Sequence, residues 1–575
     1  MADHDVLALA HPTATPGSAG QAVWGSIRNE FRKGLLLLRA RLGMLVLSAV
    51  GTSTMYAAIQ LAIGRGALPD ELIAQTLIGI AMWVLLFWTG SAMVGDLVEE
   101  ARTGTLDQLR MALVPLRVSV LGRLAAALVQ GSCAALLVLA STMLVLGAPF
   151  QLSAPALIPL ALTVISALTW TGLLAGLALR VPVWRRVNTL FVGLIGMLNG
   201  AFLPVALLPD WLRAVAYLLP TTLGIDQIRR MNVDGATLAT LWADGSLPLL
   251  LLHVAATLLT GYGMFAAAER HLAITGGAPD AGRRGGGAKL ARASSRDTAA
   301  DPAVPLSDID AATGTSAWQP MRGEIRKALV LKWHERGGFL IELLIFLLFF
   351  ILVNVYIGRG RLDPDLLATT LLGMTVVAFF HRQVGSVFWS LQDDIQSGTA
   401  EQLYMSPTPP GVLILARQLV AIVEGAVFAA ALWLVVHAIW PIQLTSPSFD
   451  VLVPLTSIVV GVAGFALAIA GLALFLRRVD IIVQLLFGIG MFLGGVFLPL
   501  DQAPAWLATT GNVIVPITQG LQSLRDLLLP GGSGEPLATT LPWLIVQPLA
   551  WLVLGALLFR IGGSIARSGG LLNRY

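Results

Sequence analysis

Twelve long runs of apolar residues limit this chain to a membrane-spanning fold. A helix needs roughly 20 apolar residues to cross about 30 Å of hydrocarbon, and each run is long enough to do so. Charged residues make up 12% of the chain, about half of their share in soluble domains. The sequence therefore predicts an all-α polytopic membrane protein with twelve transmembrane helices. The runs lie at residues 42–64, 72–94, 118–146, 155–179, 187–208, 247–268, 339–358, 366–390, 411–439, 450–476, 481–500 and 541–562.

The second half of the sequence repeats the first half in register. A constant offset of 294 residues relates Gly104 to Gly398 and Arg123 to Arg417. Self-similarity at a fixed offset is typical of a duplicated unit. Because each unit has an even number of spans, both units share one orientation, and an axis along the membrane normal relates them. We therefore predict two parallel six-helix repeats.

Two polar segments divide the chain. Residues 1–23 are predicted to form a disordered cytoplasmic tail, and residues 272–320 a flexible cytoplasmic linker, because their composition is too polar and glycine-rich to pack. The first six-span unit then covers residues 24–271 and the second covers residues 321–575.

The basic residues predict the orientation of the spans. Lys and Arg accumulate in cytoplasmic loops of membrane proteins. With the amino terminus inside, both termini and the linker are cytoplasmic, and the outer loops contain only seven of the 37 Lys and Arg residues. These seven are Arg65, Arg213, Arg229, Arg230, Arg359, Arg361 and Arg525.

A basic, amphipathic segment precedes the first span of each unit. Residues 24–41 mix basic and apolar positions, as in a helix that lies at a membrane surface, and the pattern recurs before the seventh run. Arg28, Glu30, Arg32 and Lys33 correspond to Arg322, Glu324, Arg326 and Lys327.

Each unit also contains a short, broken apolar segment after a Phe-Leu-Pro motif. The two copies are residues 209–231 and residues 504–528. They are too interrupted to cross the membrane, so we predict that they dip into the outer leaflet. Irregular backbone at that depth must be covered by protein or line a water-filled cavity.

A charged segment separates the second and third runs of each unit. It reads DLVEEARTGTLDQLRMALVP at Asp96–Pro115 and QDDIQSGTAEQLYMSPTP at Gln392–Pro409, with glycine, threonine, Gln-Leu and acidic positions in register. A solvated loop helix would also look like this in one copy. Its repetition in the second unit instead predicts a place where another molecule binds.

Together, the surface helix, the charged segment and the Phe-Leu-Pro motif resemble the type 2 permeases of ABC exporters. The resemblance covers nearly all of both halves. In that family the charged segment is the coupling helix, which docks on the ATPase, and the basic helix is the elbow helix. The resemblance implies ATPase-coupling roles for Glu99, Glu100, Gly104, Thr105 and Asp107 in the first half, and for Asp394, Gly398, Thr399 and Glu401 in the second.

The resemblance also implies a function and partners. This chain would be the transmembrane subunit of an exporter in a bacterial plasma membrane, moving a hydrophobic or amphipathic substrate such as a drug, an antibiotic or a lipid-like molecule. The chain has no G-x-x-x-x-G-K-[ST] phosphate-binding loop. ATP and Mg²⁺ would therefore bind to separate ATP-binding subunits, two copies per chain. No cofactor, metal or catalytic residue is expected in this chain, and no nucleic acid.

A secondary transporter of the major facilitator type is the alternative, since that family also has twelve spans in two parallel halves. Its loop between the second and third spans has the pattern G-x-x-x-D-R-x-G-R-R. Here the loop reads GDLVEEARTGTLDQLR, without the Asp-Arg pair or the arginine ladder. The loop therefore favours the ABC permease.

Charged residues inside the predicted spans occur mainly in the second half. Glu342, His381, Arg382 and Glu424 replace Ser48, Phe87, Trp88 and Gln130 of the first half. A charge at the bilayer centre costs about 2.5–3.5 kcal/mol on insertion scales, so such residues usually pair or face a cavity. We predict that Glu424, Arg382 and His381 line a substrate path with Trp88 opposite. A buried ion pair with a structural role is the alternative, and Glu342 is close enough to the interface to snorkel.

Overall fold

The structure is a computed structural model. It describes residues 19–64, 70–103, 116–147, 152–181, 191–275, 318–334, 336–358, 360–362, 364–396, 410–445, 448–474, 490, 493–496, 505–530 and 537–568. Within these ranges the chain is helical and contains no strand, which confirms the predicted all-α class.

The helices follow the same order in both halves. The first half contains α1 (Ala19–Ile63), α2 (Asp70–Thr103), α3 (Leu116–Leu146), α4 (Leu157–Arg180), α5 (Asp210–Ala216), α6 (Thr222–Asn232), α7 (Leu238–Ala243) and α8 (Ser246–Thr275). The second half contains α9 (Trp318–His334), α10 (Arg336–Ile357), α11 (Pro364–Gln396), α12 (Pro410–Ile439), α13 (Leu452–Ala473), α14 (Ala505–Ile514), α15 (Thr518–Leu528) and α16 (Leu537–Ser568).

Among the described residues, ten helical stretches are long and apolar enough to cross a membrane, and each matches one of the twelve predicted runs. The other two runs, at 187–208 and 481–500, are described only in part. Residues 191–198 are helical, and the chain turns at residues 199–203. The count of twelve spans therefore stays a prediction. The ten stretches are Leu42–Leu61, Leu72–Leu97, Val118–Leu144, Ala154–Arg180, Ser246–His271, Gly337–Ile357, Leu366–Ile395, Gly411–Ile439, Phe449–Ala473 and Leu537–Arg567.

The predicted boundaries of the tail, the linker and the two six-span units stay predictions. Helix α1 begins at Ala19 and α9 at Trp318, a few residues before the predicted starts of the two units, and α8 continues to Thr275. The rest of the predicted tail and most of the linker, residues 1–18 and 276–317, lie outside the described residues.

The first half joins its basic segment to its first span without a break. The predicted surface helix at 24–41 and the run at 42–64 are one helix, α1. In the second half, α9 ends at His334 and α10 begins at Arg336. Helix α1 runs along α3, and glycine permits their close approach. A Cβ atom at Gly122 would lie 2.5 Å from the carbonyl oxygen of Ile27, so any larger residue would push the helices apart.

The fourth and sixth spans of the second half, in α13 and α16, also pack through glycines. A Cβ at Gly464 or Gly471 would overlap the backbone of α16, and a Cβ at Gly555 or Gly562 would overlap the backbone of α13. Small residues let transmembrane helices approach closely, which increases van der Waals contact where the hydrophobic effect is absent. The first half keeps glycine at only two of the four matching positions, Gly176 and Gly261.

The broken apolar segments form short helix pairs, α5 with α6 and α14 with α15. Helix α6 packs so closely on α4 that a Cβ at Gly224 would overlap the Thr163 side chain, and Gly520 of α15 lies in the same way against Ile458. Thr163 and Ile458 are each nine residues from the start of their spans, so α6 and α15 lie beside these spans. The dip into the outer leaflet stays a prediction. Neighbouring helices bury most of α6 and α15, whereas α5 and α14 expose side chains such as Trp211, Val215, Val513 and Ile514.

Candidate functional site

Four charged residues meet where α1, α2 and α3 approach each other at the predicted cytoplasmic end. We call them the first ion-pair cluster: Glu30, Lys33, Glu100 and Arg123. The Arg123 side chain is 8% exposed and donates through Nε to Glu30 Oε2 at 2.8 Å and through Nη1 to Glu100. Lys33 Nζ, 54% exposed, lies 3.1 Å from Glu100 Oε1. One buried guanidinium thus holds the basic helix and the end of α2 against α3.

The second half builds the same arrangement from the equivalent residues. The second ion-pair cluster contains Glu324, Lys327, Asp394 and Arg417. Arg417, also 8% exposed, donates to Glu324 Oε1 from Nε at 3.0 Å and lies 2.9 Å from it through Nη2. Its Nη1 donates to Asp394 Oδ2 at 2.5 Å. All four residues are related to the first cluster by the 294-residue offset.

The lysines distinguish the two clusters. In the first half Lys33 of α1 binds Glu100 of α2, so it joins two helices. In the second half Lys327 lies 3.9 Å from Glu324, three residues away on the same helix α9. The side chain of Asp394 is one methylene shorter than that of Glu100. The contact between Lys33 and Glu100 therefore strengthens the joint between helices in the first cluster.

The structure describes the side chains of only two of the nine predicted ATPase-coupling residues. Glu100 and Asp394 lie in the clusters, 15% and 19% exposed on their side chains. Glu99 is in α2, but its side chain is not described. The remaining six lie outside the described residues: Gly104, Thr105, Asp107, Gly398, Thr399 and Glu401. Coupling by these residues stays a prediction.

Sequence reasoning missed the partners of Glu100 and Asp394. It matched Arg123 with Arg417 and Glu30 with Glu324 as repeated positions, without joining them. A usable signal was present: residues of opposite charge, near the ends of adjacent spans, recur at one offset. Charges near a membrane are costly when unpaired, so repeated opposite charges at matching depths indicate a pair.

A third group of charges lies deeper, between α10, α11 and α12. We call Glu342, His381, Arg382 and Glu424 the interior cluster. Arg382 Nη1 lies 2.7 Å from Glu342 Oε2, and its Nε lies 3.4 Å from Glu424 Oε1. Glu424 Oε2 accepts a hydrogen bond from Ser386 Oγ at 3.0 Å. The structure therefore joins Glu424 of α12 with Arg382 of α11.

Glu342 has a larger part in this cluster than the sequence indicated. Instead of reaching the interface, its carboxylate makes the shorter contact with Arg382, and His381 Nε2 lies 3.6 Å from its other oxygen. The cause is the position of α10, which brings Glu342 beside α11 although it lies only five residues into its own span. Depth in one helix did not predict the contact between helices.

Aromatic rings surround the guanidinium of the interior cluster. The Cζ atom of Arg382 lies 5.0 Å from the ring centroid of Phe428 and 5.5 Å from that of Phe339. At these distances a cation is attracted to a ring face. Trp88, predicted to lie opposite, is buried in the first half and packs edge-to-face on Phe87 with centroids 6.4 Å apart. The interior cluster therefore places charged groups beside apolar rings.

Comparison with known families agrees with the duplication. The sequence model of ABC-2 type transporters matches the chain twice, at residues 20–231 and 328–529, which together are more than half of its length. Searches among curated proteins and among solved structures found no match. The first matched region contains the whole first ion-pair cluster, and the second contains Asp394 and Arg417 but begins just after Glu324 and Lys327. The chain therefore belongs to the ABC-2 type transporter family and contains the membrane domain of that family twice.

Proposed function

We propose that the chain is the permease subunit of an ATP-driven exporter, with two separate ATP-binding subunits that bind under its two halves. The family match over both halves carries this proposal, because an ABC-2 membrane domain is a permease domain and not the ATPase. Nothing in the match supports the major facilitator alternative. The cytoplasmic location of both termini remains part of the proposal.

The ion-pair clusters give this proposal a mechanical basis. Each cluster is located where α2 or α11 leaves the membrane and the coupling segment begins. Arg123 and Arg417 fasten that end to the basic helix and to the third span of each half. A push on the coupling segment would therefore reach three helices at once, and the halves would move against each other to alternate access.

The first experiment tests dependence on a partner. The purified chain alone should not hydrolyse ATP, and co-expression with the cognate ATP-binding subunit should give a complex that does. Inside-out vesicles containing the complex should accumulate a fluorescent amphipathic dye when ATP is added. ATP hydrolysis by the chain alone would refute the proposed division of labour, and uptake in right-side-out vesicles would reverse the proposed direction.

A test of the coupling role of Glu100 and Asp394 needs variants that keep their ion pairs inside the protein. Charge reversal at Glu100 alone leaves Arg123 facing another cation, so it tests folding as well as coupling. The fourfold exchange Glu30→Arg, Lys33→Glu, Glu100→Arg and Arg123→Glu keeps every ion pair of the first cluster but presents the opposite charge to a partner. If Glu100 contacts the ATPase, the exchange should insert normally and lose coupling. If the exchange variant transports as well as the parent, Glu100 acts through its ion pairs inside the protein and not through a contact with the ATPase.

The interior cluster is the proposed contact for cargo. It combines charge, a hydroxyl and aromatic rings in one half of the molecule, opposite a first half with neutral counterparts. The test compares Glu424→Gln, and Glu424→Gln with Arg382→Met, against Gln130→Leu at the matching buried position. Changed export of some cargoes by well-folded interior variants supports the proposal. A stable double variant that exports every cargo as the parent does would make the cluster structural.

A further inference from the structure

The basic helices present the same row of exposed arginines in both halves. Arg28 and Arg32 of α1 are exposed, and so are Arg322 and Arg326 of α9 at the equivalent positions. In each half the two arginines are four residues apart, so they lie on one face of the helix. No ion pair of these four side chains occurs among the described residues.

This face points away from the ion-pair cluster. Glu30 lies two residues from both Arg28 and Arg32, about 200° around the helix, and it binds the buried Arg123. Glu324 relates in the same way to Arg322 and Arg326, and it binds Arg417. The acidic side of each helix is therefore occupied inside the protein, and the basic side remains available to a partner.

The clusters also fix the level of these arginines along the bundle. Arg123 is five residues into the third span, which begins at Val118, and Glu100 is three residues beyond the second span, which ends at Leu97. Glu30 bonds to Arg123 between these limits. Since Arg28 and Arg32 lie about 3 Å along the helix from Glu30, they are at the membrane boundary that these spans define. Long arginine side chains can reach the headgroups from there.

Exposed apolar side chains accompany the arginines. Trp24 is 67% exposed and Leu36 is 48% exposed on α1, and Leu329 is 52% exposed on α9. Tryptophan is enriched at membrane interfaces, where its ring sits at headgroup level. A partner that offers negative charge beside apolar chains complements this face better than one that offers negative charge alone.

We propose that these faces, Arg28 with Arg32 and Arg322 with Arg326, bind the anionic headgroups of phospholipids in the adjoining leaflet. On each helix, one arginine would bind the phosphodiester of one phospholipid, and the other would bind the headgroup of an adjacent anionic phospholipid. Because the same helices carry Glu30 and Glu324, a lipid held there would also steady the ion-pair clusters. The proposal does not depend on the transport activity or on an ATPase.

The experiment uses the full-length chain purified in a neutral detergent. Short-chain phosphatidylglycerol or phosphatidylcholine is titrated in, and native mass spectrometry and thermal unfolding report binding. We expect phosphatidylglycerol to bind and to raise the unfolding temperature at low salt, and phosphatidylcholine to do so much less. The variant Arg28→Gln with Arg32→Gln should weaken phosphatidylglycerol binding by about fivefold for each arginine. Arg322→Gln with Arg326→Gln should act similarly.

Matched controls separate this site from a general effect of charge. Arg270→Gln with Arg560→Gln removes two exposed arginines from α8 and α16 and should leave phosphatidylglycerol binding unchanged. Arg28→Lys with Arg32→Lys should retain most of the binding. Equal losses in the control pair would overturn the proposal. So would a glutamine variant that binds phosphatidylglycerol like the parent but no longer retains the ATP-binding subunit, since that result would assign the face to the ATPase.

Discussion

The two halves agree at their predicted cytoplasmic ends and differ inside the membrane. Both ends have a buried arginine between two carboxylates, from helices related by one offset. Inside the spans, the second half has Glu342, Arg382 and Glu424 in contact, where the first half has serine, tryptophan and glutamine. The two halves therefore share the ion-pair arrangement at these ends and differ in charge at three matching positions inside the spans.

The largest expected effect comes from removing the arginine that both halves share. Arg417→Met leaves Glu324 and Asp394 without their common cation, and Arg123→Met does the same to Glu30 and Glu100. Breaking a buried ion pair by deleting one partner costs about 3–5 kcal/mol. Both variants should unfold at much lower temperature and give little folded protein, measured by size-exclusion fluorescence and thermal unfolding. Arg560→Met, on an exposed position, is the control. A stable Arg417→Met with an unstable Arg123→Met would break the equivalence of the halves.

The sequence could predict the positions of the spans from hydrophobic periodicity, and the equivalent positions of the two halves from the constant offset. Ten of the twelve runs match helices, and four of the repeated charges in each half form an ion-pair cluster. It could not predict which helices are neighbours. Glu342 meets Arg382 because of how α10 packs, and Arg123 meets Glu30 because Gly122 lets α1 approach. Such contacts depend on distances between helices, which one-dimensional patterns do not contain.

The second comparison concerns the turns at residues 199–203 and 494–496, whose backbone is held by different side chains in the two halves. In the second half Arg525, 7% exposed, donates to the carbonyl oxygens of Gly495 at 2.6 Å, Val496 at 2.8 Å and Thr369 at 3.1 Å. In the first half Gln60 donates to the Phe202 carbonyl at 3.2 Å. Backbone freed by a break in a membrane helix must be satisfied by such groups.

Arg525→Met should therefore destabilise the protein more than Gln60→Leu. Hydrogen bonds to charged groups contribute about 1.5–3 kcal/mol and those between neutral groups about 0.5–1.5 kcal/mol. Thermal unfolding of the two variants measures the difference, and hydrogen exchange at residues 493–496 should rise only in the arginine variant. A larger loss from Gln60→Leu would show that the first half depends more on its single amide than the geometry indicates.

The third comparison exchanges matching residues between the fourth spans of the two halves, each of which packs against the sixth span of its own half. Gly464 and Thr169 occupy matching positions in α13 and α4. Gly464→Thr places a Cβ into the backbone of α16, and overpacking typically costs about 1–3 kcal/mol. Thr169→Gly creates no overlap and should cost less. Differential scanning fluorimetry of both variants tests this, and Gly471→Ala serves as a second insertion into the same contact. Equal stabilities for Gly464→Thr and the parent would mean that α13 and α16 can separate without loss.

The smallest expected effect concerns the lysine that makes the two ion-pair clusters unequal. Lys33 Nζ lies 3.1 Å from Glu100 on a different helix, and Lys327 Nζ lies 3.9 Å from Glu324 on its own helix. Both lysines are more than half exposed, and exposed pairs contribute about 0–1 kcal/mol. Lys33→Gln should lower the unfolding temperature slightly, and Lys327→Gln should lower it less, because a pair within one helix fastens no second helix. Screening weakens exposed pairs as ionic strength rises, so the difference in unfolding temperature between the two variants should shrink in high salt.

An equal or larger loss from Lys327→Gln at low salt would show that the second cluster depends on its lysine as much as the first cluster does. The lysines would then not be what makes the two clusters unequal.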